Sequence, residues 1–143
     1  MNSILVSAHP EPPRRLWPRP ATPVPAGFPS PATDYLDQPI DLNELVVRHP
    51  ASTFFLRVSG DSMRDAGILD GSLVAVEAAR QPGRGDIVVA CIAGEFTLKR
   101  FQPGRHGCEL HPANPDYPVI RVPPGEELQI FGVVVAAITR FSG

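Results

Sequence analysis

Apolar residues in the C-terminal three-quarters of the chain recur in short alternating runs, the period of a strand with one face buried. Such runs fall at about 53–58, 72–77, 86–92, 95–101, 108–111, 119–122 and 128–140. Turn-forming stretches such as Arg80-Gln81-Pro82-Gly83-Arg84-Gly85 and Pro123-Pro124-Gly125 separate them. One segment has helical spacing instead. Asp41-Leu42-Asn43-Glu44 has the spacing of a capping box, Leu42, Leu45 and Val46 follow at helical intervals, and His49-Pro50 stops the run. Its expected role is packing against the sheet or a dimer partner. Regularly spaced short strands with one short helix predict a mostly β domain, with the long last run as a strand shared across a curved sheet.

Residues 1–31 break this pattern. They hold nine of the eighteen prolines together with Arg14, Arg15 and Arg19, and little apolar content beyond Leu16 and Trp17. A segment of that composition cannot pack a core, so an extended or disordered N-terminal arm (1–31) is expected ahead of a β domain (32–143). It is also too short and proline-rich for a helix-turn-helix.

Composition narrows the function classes. A 143-residue chain suits one folded domain, and 43% hydrophobic residues suffice for a modest core. The net charge of −2, with no basic patch visible in the sequence, gives no footprint for direct, sequence-specific DNA binding. Cys91 and Cys108 lie far apart without metal spacing, so buried thiols in a reducing cytoplasm are expected. His9, His49, His106 and His111 are scattered, and no metal or cofactor is assigned. No apolar run approaches the ~18–20 residues of a membrane span, and Met1 to Val6 is too short for a signal-peptide core.

Two positions suggest chemistry. The apolar run Phe54-Phe55-Leu56-Arg57-Val58 leads into Ser59-Gly60-Asp61-Ser62-Met63, where Gly60 allows a tight bend. Ser62 then opens a short helical turn closed by Gly67. A serine at such a corner has an exposed hydroxyl and backbone N–H groups beside it, as an acyl-transfer nucleophile requires, although the same residues also suit a plain turn or N-cap. The second position is Lys99, the one lysine among thirteen basic residues. It lies in Glu95-Phe96-Thr97-Leu98-Lys99-Arg100-Phe101, where Thr97, Lys99 and Phe101 share a face. Arginine stays protonated in proteins, whereas a desolvated lysine can lose its proton and act as a base.

Taken in order, Ser59–Met63, Asp70-Gly71-Ser72-Leu73-Val74-Ala75-Val76, Gly85-Asp86-Ile87-Val88-Val89-Ala90 and Gly94-Glu95-Phe96-Thr97-Leu98-Lys99-Arg100 resemble the LexA/UmuD family of self-cleaving Ser–Lys peptidases. His111-Pro112-Ala113-Asn114-Pro115-Asp116-Tyr117-Pro118-Val119-Ile120 and Ile130-Phe131-Gly132-Val133-Val134 continue the resemblance, which runs from about Ala26 to the C-terminus. It implies a signal-peptidase-like curved sheet, with Ser62 as nucleophile and Lys99 as general base. It also implies backbone N–H groups of Asp61 and Ser62 as oxyanion donors, and self-cleavage between Ala26 and Gly27. Docking of the arm over the site would supply the burial that Lys99 needs.

The lack of a DNA-binding domain ahead of the arm points to the UmuD branch. The Ala-Gly bond departs from it, since UmuD-type sites usually read Cys-Gly and LexA-type sites Ala-Gly. The branch implies a homodimer of the DNA-damage (SOS) response, cleaved when it meets a RecA–single-stranded-DNA filament. Once trimmed, it would serve as accessory subunit to a UmuC-like catalytic subunit of error-prone DNA polymerase V. Three other readings stand beside it: a LexA-like repressor fragment, a stand-alone peptidase acting on other chains, and a binding subunit whose Ser–Lys pair is inert.

Overall fold

The computed structural model describes residues 6–18, 26 and 38–142. Ten strands account for most of the regular secondary structure among the described residues. They are β1 (Val6–Ser7), β2 (Leu16–Trp17), β3 (Ile40–Asp41), β4 (Thr53–Arg57), β5 (Leu73–Glu77), β6 (Ile87–Ile92), β7 (Glu95–Pro103), β8 (Cys108–His111), β9 (Ile120–Val122) and β10 (Leu128–Ile138). The expected strands from 53 onward are all present, shifted at their ends by one to two residues. Eight strands form one antiparallel sheet in the order β1-β4-β5-β10-β6-β7-β8-β9, while β2 and β3 pair apart from it. The fold is mostly β, as the sequence pattern predicts.

β10 is the shared strand. Its first half, Leu128 to Val133, pairs with β6, and its second half, Val133 to Ile138, pairs with β5. The register shifts twice, between Ile130 and Gly132 and between Val134 and Ala136. Each shift inserts an extra residue that bends a strand and increases its twist. The two halves of the sheet thereby turn around β10.

Both faces of this bent sheet are covered. Alternate residues of β6 enter different clusters, Val89 joining Leu56, Val58, Met63, Ile68, Val74, Val76 and Leu98. Val88 and Ala90 join Leu110, Val122 and Val133 on the other face. Full burial of a side chain such as Leu56 or Leu110 is worth about 1.5–3 kcal/mol relative to exposure. Met63, directly after Ser62, is 2% exposed and anchors the serine turn in the first cluster.

The short helix α1 (Leu42–Val46) is capped as expected, with the Asp41 Oδ1 accepting from Glu44 N at 3.0 Å. Two hydrogen-bonded amides, those of Glu44 and Arg15, hold the Asp41 carboxyl below its ordinary range. Of the two expected roles, packing on the sheet is not seen: Leu42 and Leu45 are more than half exposed, as a surface left for a partner would be, and the buried apolar residue at this point is Val47, just past the helix. The helix ends after five residues, too soon to lay a leucine stripe on the sheet. The arm also does more than trail. Its described part is extended, and β1 pairs with β4 through Val6–Phe55 and Ser7–Phe54, with Ala8 N donating to Thr53 O at 2.9 Å.

Candidate active site

The turn that carries Ser62 is pinned at its neck, at its tip and from the side. At the neck, Val58 N donates to Ser72 O and Gly71 N to Val58 O, each at 2.8 Å. Ser72, fully buried, accepts from Leu69 N at 2.9 Å and shares a hydrogen bond of 2.6 Å with Thr139 Oγ1. At the tip, Gly60 adopts φ 94°, which an L side chain rarely tolerates, and its N–H donates to Asp70 Oδ1 at 2.8 Å. A 3₁₀ turn over Arg64–Ala66 follows, closed by left-handed Gly67.

The lateral support comes from the segment after β8. Ala113 N donates to Ser62 O at 2.8 Å, and Asp65 N donates back to Ala113 O at 2.8 Å. Asn114, 4% exposed, donates its side-chain amide to Asp61 O at 2.9 Å, and Tyr117 donates its hydroxyl to Asp61 Oδ1 at 2.7 Å. That carboxylate holds the Tyr117 phenol above its ordinary pKa. In a trans peptide the carbonyl and the following N–H point in opposite directions. With the Asp61 carbonyl directed at Asn114, the Ser62 N–H is turned away from it. The backbone N–H groups of Asp61 and Ser62 donate to no described group.

Lys99 reaches this turn from β7. Its amine lies 3.0 Å from Ser62 Oγ and donates to Thr97 Oγ1 at 2.6 Å and to Leu98 O at 3.0 Å. Thr97 and Lys99 do share a strand face, as their spacing predicts. The residue is 6% exposed, and no described carboxylate forms an ion pair with it. Desolvation therefore lowers its pKa from the ordinary lysine value. All three partners are oxygens that can accept from the amine, and once neutral it keeps two N–H bonds to Thr97 and Leu98 and can turn its lone pair to the Ser62 hydroxyl. The groove around the pair, about 210 Å³, is also lined by Phe96, Met63 and Tyr117, with the Phe96 ring 5.1 Å from that of Phe131.

A hydroxyl with a buried, uncompensated amine at hydrogen-bond distance and free backbone donors beside it is equipped for acyl transfer. Comparison with known proteins points the same way. Residues 21–135 match the family described as Peptidase S24-like. The chain belongs to this Peptidase S24-like family.

It is a UmuD-like member, and its activity is of the serine-peptidase kind. Protein SamA of Salmonella typhimurium is 47% identical over 137 residues, 96% of this chain and 95% of its own. Protein ImpA of Escherichia coli is 50% identical over 115 residues, covering 80% and 78% of the two chains. A LexA repressor from an Acidovorax strain is 44% identical over 115 residues, 80% of this S24-like chain but only 51% of the repressor.

Among the other expected site residues, Ala26 is exposed, and Gly27 lies outside the described residues. Asn114, Ala113 and Tyr117 emerge only from the structure. Their one signal in the sequence was the His111–Ile120 segment, which continued the family resemblance without suggesting a role. Among the described residues, no helix is long and apolar enough to cross a membrane.

Proposed function

We propose that this chain is a self-cleaving protein of the SOS response, cut between Ala26 and Gly27 by Ser62 with Lys99 as base. The supporting observation is the 3.0 Å approach of a buried, unpaired Lys99 amine to Ser62 Oγ. Neutral Lys99 takes the hydroxyl proton as Oγ bonds to the Ala26 carbonyl carbon. The resulting oxyanion accepts from the N–H groups of Asp61 and Ser62. Collapse breaks the Ala26–Gly27 bond, and the Gly27 amine leaves with the proton returned by Lys99. Lys99 then deprotonates a water that attacks the Ala26 ester, releasing the arm as a carboxylate and restoring the Ser62 hydroxyl.

In this reading the cytoplasmic homodimer is the substrate of its own site, and a RecA–single-stranded-DNA filament accelerates cleavage by favouring the docked arm. The trimmed dimer then serves as accessory subunit to the UmuC-like catalytic subunit of DNA polymerase V in error-prone synthesis. No metal or cofactor takes part in these steps.

Intact-mass measurement after mild alkaline incubation tests the chemistry. The expected products are fragments 1–26 and 27–143, absent for Ser62→Ala. Arginine cannot supply a neutral amine, so Lys99→Arg is expected to fall as far as Lys99→Ala, by about 10²–10⁴-fold. Cleavage at the same bond in Ser62→Ala, or undiminished in Lys99→Arg, overturns the assignment.

A further inference from the structure

A second cavity, about 490 Å³ and larger than the groove at Ser62, opens at the far end of β7. Three arginines distant in sequence converge on it: Arg84 from the turn before β6, Arg105 from the β7–β8 turn, and Arg121 from β9. His106 stands beside Arg105, and Glu109 is the one carboxylate in the lining. Arg84 is fastened there, donating through Nη2 to Pro103 O at 2.8 Å and through Nη1 to Gln102 Oε1 at 3.3 Å. Arg121 reaches Glu109 at 3.3 Å, while Arg105 forms no ion pair with any described residue. The lining thus keeps two positive charges in excess, on a chain whose net charge is −2.

The backbone of this turn adds donors. Gly104 N is satisfied by Gly107 O at 3.0 Å, whereas the N–H groups of Arg105, His106 and Gly107 donate to no described group. Consecutive unbonded amides in a tight turn, flanked by guanidinium groups, are a recurring way to hold an anion. The turn is also held tightly in place. A Cβ on Gly107 would collide with the Val122 carbonyl oxygen, and its φ is 84°, so only glycine lets the turn close onto β9.

We propose that this cavity binds a phosphate-bearing ligand. Planar guanidinium groups and free amides match the several oxygens of a phosphate group. The lining has no Phe, Tyr or Trp on which a base could stack, only the His106 imidazole, so recognition goes to the phosphate rather than to a sequence. The same chemistry is offered by a small phosphate compound and by a nucleic-acid backbone. The site is independent of the Ser62 reading.

The test titrates the full-length chain at neutral pH and low salt with inorganic pyrophosphate, with an oligothymidylate and with a polyglutamate peptide of matched charge, following backbone amide NMR signals. Pyrophosphate or the oligonucleotide should shift the signals of 104–108, with affinity falling as salt rises. Arg105→Glu should weaken binding by about tenfold or more, while Arg105→Lys retains most of it. Arg105 is exposed, so unchanged thermal melting serves as the control for folding. Tighter binding of the oligonucleotide makes a nucleic-acid backbone the source, and equal or tighter binding of pyrophosphate makes it a small phosphate compound. Silence from both phosphate probes, equal binding by polyglutamate, or shifts that persist in Arg105→Glu overturn the proposal.

Discussion

Lys99 is held by oxygen atoms alone, and that fixes how its proton depends on pH. Burial disfavours the ammonium, so the folded chain releases this proton at lower pH than an exposed lysine does. Two effects follow with the same sign. Self-cleavage should accelerate as pH rises through the depressed folded pKa, since only the neutral amine acts as base. Between that pKa and the ordinary lysine value the unfolded chain binds the extra proton, so stability also rises with pH there. Lys99→Met, folded but inactive, should lose this part of the pH dependence. A rate profile that stays flat from neutral to alkaline pH in folded wild-type protein contradicts the base assignment. The Ser62–Lys99 pair was legible because each residue carries a local signature, a glycine-bent corner and a lone lysine in an alternating, strand-like run. Asn114 has none, because it acts through a carbonyl 53 residues away in the chain. Asn114→Leu keeps the shape and adds no charge but loses the amide that holds Asp61 O. It should slow cleavage by about tenfold or more by misplacing the Ser62 N–H. The midpoint of the pH profile should stay put, since Lys99 is untouched. A shifted midpoint with an unchanged plateau assigns Asn114 elsewhere.

At the scale of elements, alternation located the strands well because each is short and bounded by turn residues. The position of β10 between the two halves of the sheet was foreseen from its length, but its bulges were not. A register shift leaves no mark in an apolar run, since it depends on which partner residues lie opposite. Gly132 shows the consequence. A Cβ there would lie 2.6 Å from Glu77 O and 2.7 Å from Val76 Cγ1, so Gly132→Ala must push β10 away from β5. Overpacking of this kind costs about 1–3 kcal/mol, and chemical denaturation should show it as a lower midpoint. An unchanged midpoint means that the two strands separate there without cost. Which surface the helix packs on was not legible, for a related reason. Its capping signal was local and correct, but whether Leu42 and Leu45 reach the sheet depends on where the chain goes next.

The molecule as a whole is a well-packed sheet, with an N-terminal segment that touches it lightly. β1 contributes two exposed residues to the sheet, and neither belongs to a core cluster. A chain beginning at Gly27 should therefore fold with nearly the thermal stability of the intact Ser62→Ala protein. Hydrogen exchange should rise along β4 where β1 had lain and at β3 where β2 had paired, while β6 and β10 stay protected. Loss of protection throughout the sheet would show that the arm is part of the fold rather than an attachment to it.

The brevity of the β1–β4 pairing matters most once the chain is cut. While the arm is tethered, its two strand residues meet β4 at the high local concentration set by the linker, in the millimolar range for short flexible connections. Severed after Ala26, the same segment is a separate solute at whatever concentration the protein itself has. Two ladders of two residues each, on β4 and on β3, with the contacts of Arg14 and Arg15, are a weak hold on a free peptide, and dilution carries it away. In the proposed reading, cutting one peptide bond far along the chain thereby uncovers the edge of β4 without altering any contact that β4 makes with β5, and mass action prevents the arm from returning.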